Sequence, residues 1–207
     1  MIAIVDYKAG NLTSVLLACE HFGVEAMITQ DIEVIGNAER VIFPGDGAAA
    51  SAMEHLHELN LVDCLKRVVA NGTPFLGICL GTQVIMDHSD EDGGVDCIGL
   101  VPGNVQKFRT VDPLIKIPQM GWNQMRFKQR HPLFNGIEDN SEFYFIHSYY
   151  PAPADPAYTM GETAYADATF AAALGKGNLF ATQFHPERSG RIGMTIIENF
   201  TKWDGKA

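Results

Sequence analysis

Gly77-Ile78-Cys79-Leu80-Gly81 decides how the rest of the chain is read. Ahead of it stand a Gly/Pro turn, Gly72-Thr73-Pro74, and the apolar pair Phe75-Leu76. Behind it, Leu80, Val84 and Ile85 recur at helical spacing on the way to His88. The stretch therefore reads as strand, tight turn and helix over Leu80 to His88, with a small nucleophile at the turn and glycine two places to either side. That is the G-x-S-x-G nucleophile elbow with cysteine in place of serine. Glycines suit it because the turn is strained and a Cβ there would strike the neighbouring strand and helix. Cys79 is expected at the positive end of the helix, where the dipole favours thiolate over thiol. The Leu80 amide N–H is expected to face an oxyanion formed on a carbonyl that the sulfur attacks. A buried cysteine between helix-packing glycines is the alternative that the pentapeptide leaves open.

Outward from the elbow, the first half alternates strand and helix. Ile2 to Asp6 is a buried strand, Tyr7 to Asn11 a turn with Asn11 as N-cap, and Leu12, Val15, Leu16, Cys19 and Phe22 one face of a helix that Gly23 stops. Val24 to Thr29 and Arg40 to Phe43 are further strands, the latter ending in Pro44-Gly45-Asp46-Gly47. Ala48 to Leu59 reads as helical, and Asn60 caps another helix carrying Leu61, Leu65, Val68 and Val69, before Phe75 to Ile78 feeds the elbow. Such alternation predicts an α/β fold with a mainly parallel central sheet flanked by helices, flavodoxin-like in layout. After Gly93-Gly94 come short β-like runs at 99–107, 114–117, 123–127, 143–149, 158–162, 170–174 and 179–184, which predict an antiparallel extension of the same sheet. Residues 151–156 read as one Pro-rich loop. A last helix begins near Ser189-Gly190 with Ile192, Ile196, Phe200 and Trp203 on one face, and Asp204 to Ala207 is expected to fray. No repeat or low-complexity tract divides the chain, so residues 1–207 are read as a single domain.

The totals narrow the function classes. At 207 residues, 46% hydrophobic and 19% charged, the composition is that of a globular protein with room for one full core. A formal net charge of −10 without any basic block argues against nucleic acid as a partner. No apolar run is long enough to span a bilayer and the start reads as a strand, so a cytoplasmic protein without a membrane partner is expected. Cys19, Cys64, Cys79 and Cys97 show no C-x-x-C and no zinc-type pairing, so reduced thiols fit, and neither a metal nor a cofactor is expected.

Cys79 needs a base. His185, in Gln183-Phe184-His185-Pro186-Glu187, stands just past an apolar strand end, at the sheet edge where a parallel fold exposes its nucleophile. Glu187 is two residues on, within reach of the far imidazole nitrogen. Cys, His and carboxylate would form a triad in which the imidazole shares the thiol proton and the carboxylate fixes its tautomer; a solvated His-Pro turn is the bland counterpart. Pro44-Gly45-Asp46-Gly47 follows a strand at the same edge and reads either as a source of the second oxyanion donor or as a β-turn. Gln83, one helical turn past Cys79, faces a polar substrate or solvent. His21, His88 and His131 are read as surface residues, His147 as a partly buried structural histidine, and Pro118 to Asn123 as a turn with a partner-facing or core Trp122.

With Gly77-Ile78-Cys79-Leu80-Gly81-x-Gln83 and Phe184-His185-Pro186-Glu187 in hand, the chain resembles the class I, triad-type glutamine amidotransferases. Asp6-Tyr7-x-x-Gly10-Asn11-Leu12-x-Ser14, Pro118-x-Met120-Gly121-Trp122-Asn123 and Tyr144-Phe145-Ile146-His147-Ser148-Tyr149 resemble, more narrowly, the glutaminase subunits of imidazole glycerol phosphate synthase. The resemblance implies that Cys79, His185 and Glu187 hydrolyse the side-chain amide of glutamine. It gives the oxyanion to the N–H groups of Leu80 and of Gly45-Asp46-Gly47, and the substrate to Gln83, Ser148, Tyr149 and Glu91. It implies delivery of ammonia to a β/α-barrel cyclase subunit in a heterodimer, met through Asn11, Trp122, Tyr144 and Arg188.

Two positions depart from the family pattern. Asp46 stands where valine is expected, and its charge would oppose an oxyanion unless it points away. Arg188 replaces an expected lysine, keeping the charge but not the geometry. A stand-alone γ-glutamyl hydrolase and a flavodoxin-like binding module with a structural Cys79 are the competing readings.

Overall fold

The computed structural model describes residues 1–206. In chain order the elements are β1 (Ile2–Val5), α1 (Leu12–His21), β2 (Ala26–Thr29), α2 (Ile32–Gly36), β3 (Arg40–Gly45), α3 (Ala49–Glu58), α4 (Leu61–Ala70), β4 (Phe75–Cys79) and α5 (Leu80–Val84). There follow β5 (His88–Ser89), β6 (Val95–Asp96), β7 (Gly103–Lys107), β8 (Gln119–Phe127), β9 (Ser141–His147), β10 (Tyr149–Pro153), β11 (Thr159–Tyr165), β12 (Ala168–Lys176), β13 (Leu179–Thr182) and α6 (Gly190–Lys202).

Nine strands form one sheet in the order β2-β1-β3-β4-β13-β12-β11-β8-β9. Its first five strands are parallel, and β12, β11, β8 and β9 continue it antiparallel. This is the expected α/β sheet with its antiparallel extension. Alternation along β1 shows why the layers form: Ala3 and Val5 pack on one face with Leu56, Leu61, Leu65 and Val68 of α3 and α4, while Ile2 and Ile4 pack on the other with Val15, Cys19, Ile196 and Phe200 of α1 and α6. The parallel strands put β3, β4 and β13 side by side, so their C-terminal ends bring Gly45, Cys79 and the segment leading to His185 to one rim.

Several expectations are corrected. The helix after the elbow stops at Val84 instead of running to His88, because the carbonyls of Val84, Ile85 and Met86 accept N–H groups from Ile98 to Val101 instead of from a next helical turn. His88 pairs with Asp96 in a short strand. Asn11 and Asn60 occupy N-cap positions in left-handed conformation, φ 64° and 55°, and neither side chain caps its helix. An additional short helix, α2, is capped by Asp31, whose carboxylate accepts the N–H groups of Glu33 and Val34.

The antiparallel region does not all join the main sheet. A separate four-stranded sheet runs β10-β7-β5-β6. Part of the stretch read as a Pro-rich loop is β10, an edge strand bonded to β7 alone, where Pro151 and Pro153 need no N–H on the open side. Residues 114–117 form no strand; Leu114 is 86% exposed and no neighbouring strand covers it. The stretch 119–123, read as a turn, is the first half of β8, paired with β9. His131 is buried, not on the surface. Trp203 Nε1 donates to Lys206 O at 2.6 Å, so Asp204–Lys206 is held in place; Ala207 lies outside the described residues. No helix among the described residues is long and apolar enough to cross a membrane.

Candidate active site

At the junction of β4 and α5, Cys79 takes φ 54° and ψ −109°, a conformation that costs a non-glycine residue and that the flanking glycines make possible. A Cβ on Gly81 would lie 1.9 Å from the Phe43 carbonyl oxygen, and one on Gly77 would lie 3.0 Å from Ala181 Cβ. Both glycines therefore let helix and strands close on the turn, as the elbow reading requires. Cys79 Sγ faces Ile146 O at 4.0 Å and Gln183 Nε2 at 3.8 Å.

His185 follows β13 and opens a 3-10 turn over Pro186–Arg188. Its backbone is fastened twice to β9: His185 N–H donates to Tyr144 O at 3.0 Å, and Ser189 Oγ both accepts Tyr144 N–H at 2.9 Å and donates to His185 O at 2.6 Å. Nδ1 of the ring bonds Glu187 Oε1 at 2.8 Å, and the Glu187 side chain has no exposed surface. Nε2 is buried with no hydrogen-bond partner. Burial opposes a charge on this ring, but the neighbouring Cys79 sulfur and the Glu187 carboxylate outweigh it and raise the pKa to about 10. An imidazole held in its protonated form at neutral pH can give a proton to a leaving group.

A cavity of about 320 Å³ opens over the sulfur, lined by Asp46, Gly47, Cys79, Leu80, Gln83, Glu91, Pro118, Ile146, His147, Ser148, Tyr149 and His185. Of the residues the sequence points to, it brings together Cys79, His185, Leu80, Asp46, Gly47, Gln83, Glu91, Ser148 and Tyr149, while Glu187, Gly45, Asn11, Trp122, Tyr144 and Arg188 lie outside its lining. Gln83 Nε2 donates to Tyr149 O at 2.8 Å and to Gln183 Oε1 at 3.0 Å, which fixes the amide at the cavity wall. Glu91 Oε2 accepts the Ala49 N–H at 2.6 Å, and its burial raises its pKa. Gly45 lies beneath the cavity against Tyr7 and Leu80. Asp46 lines the cavity, and its Oδ1 accepts the Gly10 N–H at 2.7 Å.

The four residues assigned to a partner surface form two adjoining pairs. Trp122 and Tyr144 stand opposite each other on β8 and β9, edge to face at 6.1 Å, with Trp122 55% exposed. Asn11 donates to Glu187 Oε1 and accepts from Arg188. These side chains therefore touch the triad directly, through Glu187, and indirectly, through the Tyr144 backbone.

Three site residues were not singled out from the sequence. Gln183 is fully buried beside the sulfur; an apolar strand ending in glutamine was the available signal. His147 lines the cavity; its Nδ1 bonds Tyr149 O at 2.8 Å, its Nε2 is unpartnered, and burial, with His185 adding to it, lowers its pKa to about 4. The Tyr7 hydroxyl is buried without a partner, and burial, with Cys79 and Asp46 adding to it, raises its pKa. Among the described residues no cluster of metal-ligating side chains is present.

An elbow cysteine, a histidine backed by a buried carboxylate and a polar cavity at the rim of a parallel sheet define a thiol-dependent acyl-transfer class. The chain belongs to the class-I glutamine amidotransferase family, whose model matches residues 3–203. Within that family it is similar to subunit HisH of imidazole glycerol phosphate synthase. The HisH of Pseudomonas putida is 44% identical over 210 residues, covering 99% of this chain and 98% of the relative. That of Nitrosococcus oceani is 44% identical over 206 residues with the same coverage. Solved folds agree: a glutamine amidotransferase aligns with a TM-score of 0.75 at 15% identity, covering 99% of this chain and 100% of that one. PurLQS from Thermotoga maritima aligns at 0.72 and 17% identity, covering 97% of each chain.

Proposed function

We propose that this chain, as one glutamine amidotransferase domain, is the glutaminase subunit of an imidazole glycerol phosphate synthase working in the cytoplasm. Its relatives are named as subunits of that synthase, which implies a second subunit here. Cys79 thiolate adds to the side-chain amide carbon of glutamine. The resulting oxyanion is held by the Leu80 N–H and by an N–H of Gly45-Asp46-Gly47. The Nε2 proton of His185 passes to the departing nitrogen, the C–N bond breaks, and ammonia leaves a glutamyl thioester. Water, deprotonated by the now neutral His185, adds to the thioester, and glutamate departs as the sulfur is restored.

Gln83, Ser148, Tyr149 and Glu91 hold the substrate in this reading, Glu91 facing its α-amino group. Ammonia passes to a β/α-barrel cyclase bound over Asn11, Trp122, Tyr144 and Arg188. It stays out of bulk water, where protonation would remove its nucleophilicity. The cyclase uses it on a phosphoribosyl-formimino ribulotide to give imidazole glycerol phosphate and an aminoimidazole carboxamide ribotide.

The observation that supports this most strongly is the buried Cys79–His185–Glu187 array, with the His185 ring held by Glu187 on one side and the Cys79 sulfur neighbouring it on the other. Glutamine hydrolysis measured with and without a cyclase and its ribotide ligand tests it. Strong stimulation by the liganded cyclase, lost in Cys79→Ala, is expected. Full activity in the free chain, unchanged by the cyclase, would favour a stand-alone hydrolase instead.

A further inference from the structure

The segment from Gly45 to Ala49 supplies the second oxyanion donor in the reading above, and it is held firmly at both ends. Gly45 is in parallel register with Cys79, and the Tyr7 ring lies so close beneath that a Cβ on Gly45 would come 1.8 Å from its hydroxyl oxygen. Ala49 N–H is fixed to the Glu91 carboxylate at 2.6 Å. The span between includes Gly47 at φ 93°, a position with no side chain to restrain it. Among the described residues one side-chain bond ties this span at its middle, the 2.7 Å contact from Gly10 N–H to Asp46 Oδ1. The fit is close: a Cβ on Gly10 would lie 2.4 and 2.8 Å from the two carboxylate oxygens. Gly10 is followed at once by Asn11, which donates to the triad carboxylate Glu187.

We propose that Asp46 is a positioning residue that docks the oxyanion segment onto the Gly10 backbone. The β1–α1 loop then sets the distance between the oxyanion donor and the triad. This inference rests on the glutaminase reading and deepens it. Without the Asp46 bond, residues 46–48 have two fixed ends and a free middle, and the donor N–H samples orientations that miss the tetrahedral oxygen. The carboxylate serves as an acceptor for a backbone N–H, a role a neutral amide oxygen at the same place can also fill, with a weaker bond. One of its carboxylate oxygens is committed to the Gly10 N–H.

The test is steady-state glutamine hydrolysis in the complex with a cyclase and its ribotide ligand, for Asp46→Ala, Asp46→Asn, Gly10→Ala and the Gly10→Ala/Asp46→Ala double variant. Asp46→Ala is expected to lower kcat about tenfold, with KM within about twofold. Asp46→Asn keeps an acceptor oxygen and recovers most of that loss. Gly10→Ala lowers kcat by displacing the carboxylate, and the double variant is no worse than Asp46→Ala, because the clash exists only while the carboxylate does. Alkylation of Cys79 by iodoacetamide forms no oxyanion, so its rate stays within about twofold throughout. An unchanged kcat in Asp46→Ala, an Asn variant as poor as the Ala one, additive losses, or alkylation falling in step would each overturn the assignment. A wild-type complex without glutaminase activity would overturn the glutaminase reading with it; an active wild type beside an equally active Asp46→Ala overturns this inference alone.

Discussion

His131 offers a direct test of how this core answers to acid. The ring is 5% exposed and packed among Phe180 at 4.4 Å, Trp203 at 5.1 Å and Phe134 at 6.3 Å. Its Nδ1 accepts the Leu133 N–H at 3.2 Å, a bond an imidazolium cannot make, since both of its nitrogens carry protons. Burial alone lowers its pKa from 6.5 to about 4. The unfolded chain therefore takes up a proton below about pH 6.5 that the folded one refuses until about pH 4, so stability falls as pH falls through that window. For one such group the loss between pH 7.5 and pH 5.0 is about 2 kcal/mol. His131→Asn keeps an acceptor for Leu133 N–H but does not titrate. It should be less stable at neutral pH by a packing cost of about 1–3 kcal/mol, and its disadvantage should shrink by about 2 kcal/mol at pH 5.0. Urea unfolding of both proteins at pH 7.5, 6.0 and 5.0 measures this. His147 contributes acid sensitivity to both proteins alike and cancels. Stability curves that run parallel from pH 7.5 to 5.0 would refute the argument.

Three further outcomes are expected. Gly81→Ala forces a Cβ onto the Phe43 carbonyl oxygen, and should cost about 3 kcal/mol, or roughly 10 °C in Tm by calorimetry. Glu187→Gln removes the negative partner of His185, so kcat for glutamine should fall by about 10²–10⁴-fold and the alkaline limb of its pH profile should move to lower pH. The sign is the same for stability: with a folded pKa of about 10, the His185 charge contributes stability that is fully present below about pH 6.5 and lost as pH rises through 10, and Glu187→Gln should flatten that alkaline loss. Trp122→Ala should weaken association with the cyclase by about 2 kcal/mol, read by calorimetric titration, while leaving the Tm of the free chain nearly unchanged, because the ring is 55% exposed there.

Local chemistry made some of this molecule legible in its sequence. The elbow could be read because two glycines and a cysteine meet a steric demand within five residues, and His185 because strand end, proline and carboxylate follow one another. What escaped depends on distant partners. Trp122 looked like a turn residue beside Gly121, yet β9, some twenty residues on, pairs with the whole stretch and makes it a strand. His131 follows the polar run Lys128-Gln129-Arg130 and reads as surface, yet it is buried by Phe180 and Trp203 from the far end of the chain. The helix after Cys79 was drawn too long because apolar spacing continues to Ile85, but N–H groups from 98–101 take its last carbonyls. Asn11 was assigned to a cap because Asn at a helix start is a sound local signal, while Glu187 and Arg188 bid for its side chain from the other end of the chain.

The same Asn11 links the proposed partner surface to the chemistry. For docking on this surface to alter the triad or the oxyanion donor, a path of contacts must join them. Here that path is short. Arg188 is half exposed and bonds Asn11, Asn11 bonds Glu187, and Glu187 orients His185; one residue back, Gly10 holds Asp46. Trp122 packs on Tyr144, whose backbone is tied to His185 and Ser189. A partner that displaced Arg188 would therefore act on the proton donor through Asn11 and Glu187 and, one residue back, on the loop that holds the oxyanion segment, while one that displaced Trp122 would act on the proton donor through Tyr144, in both cases through bonds already formed in the free chain.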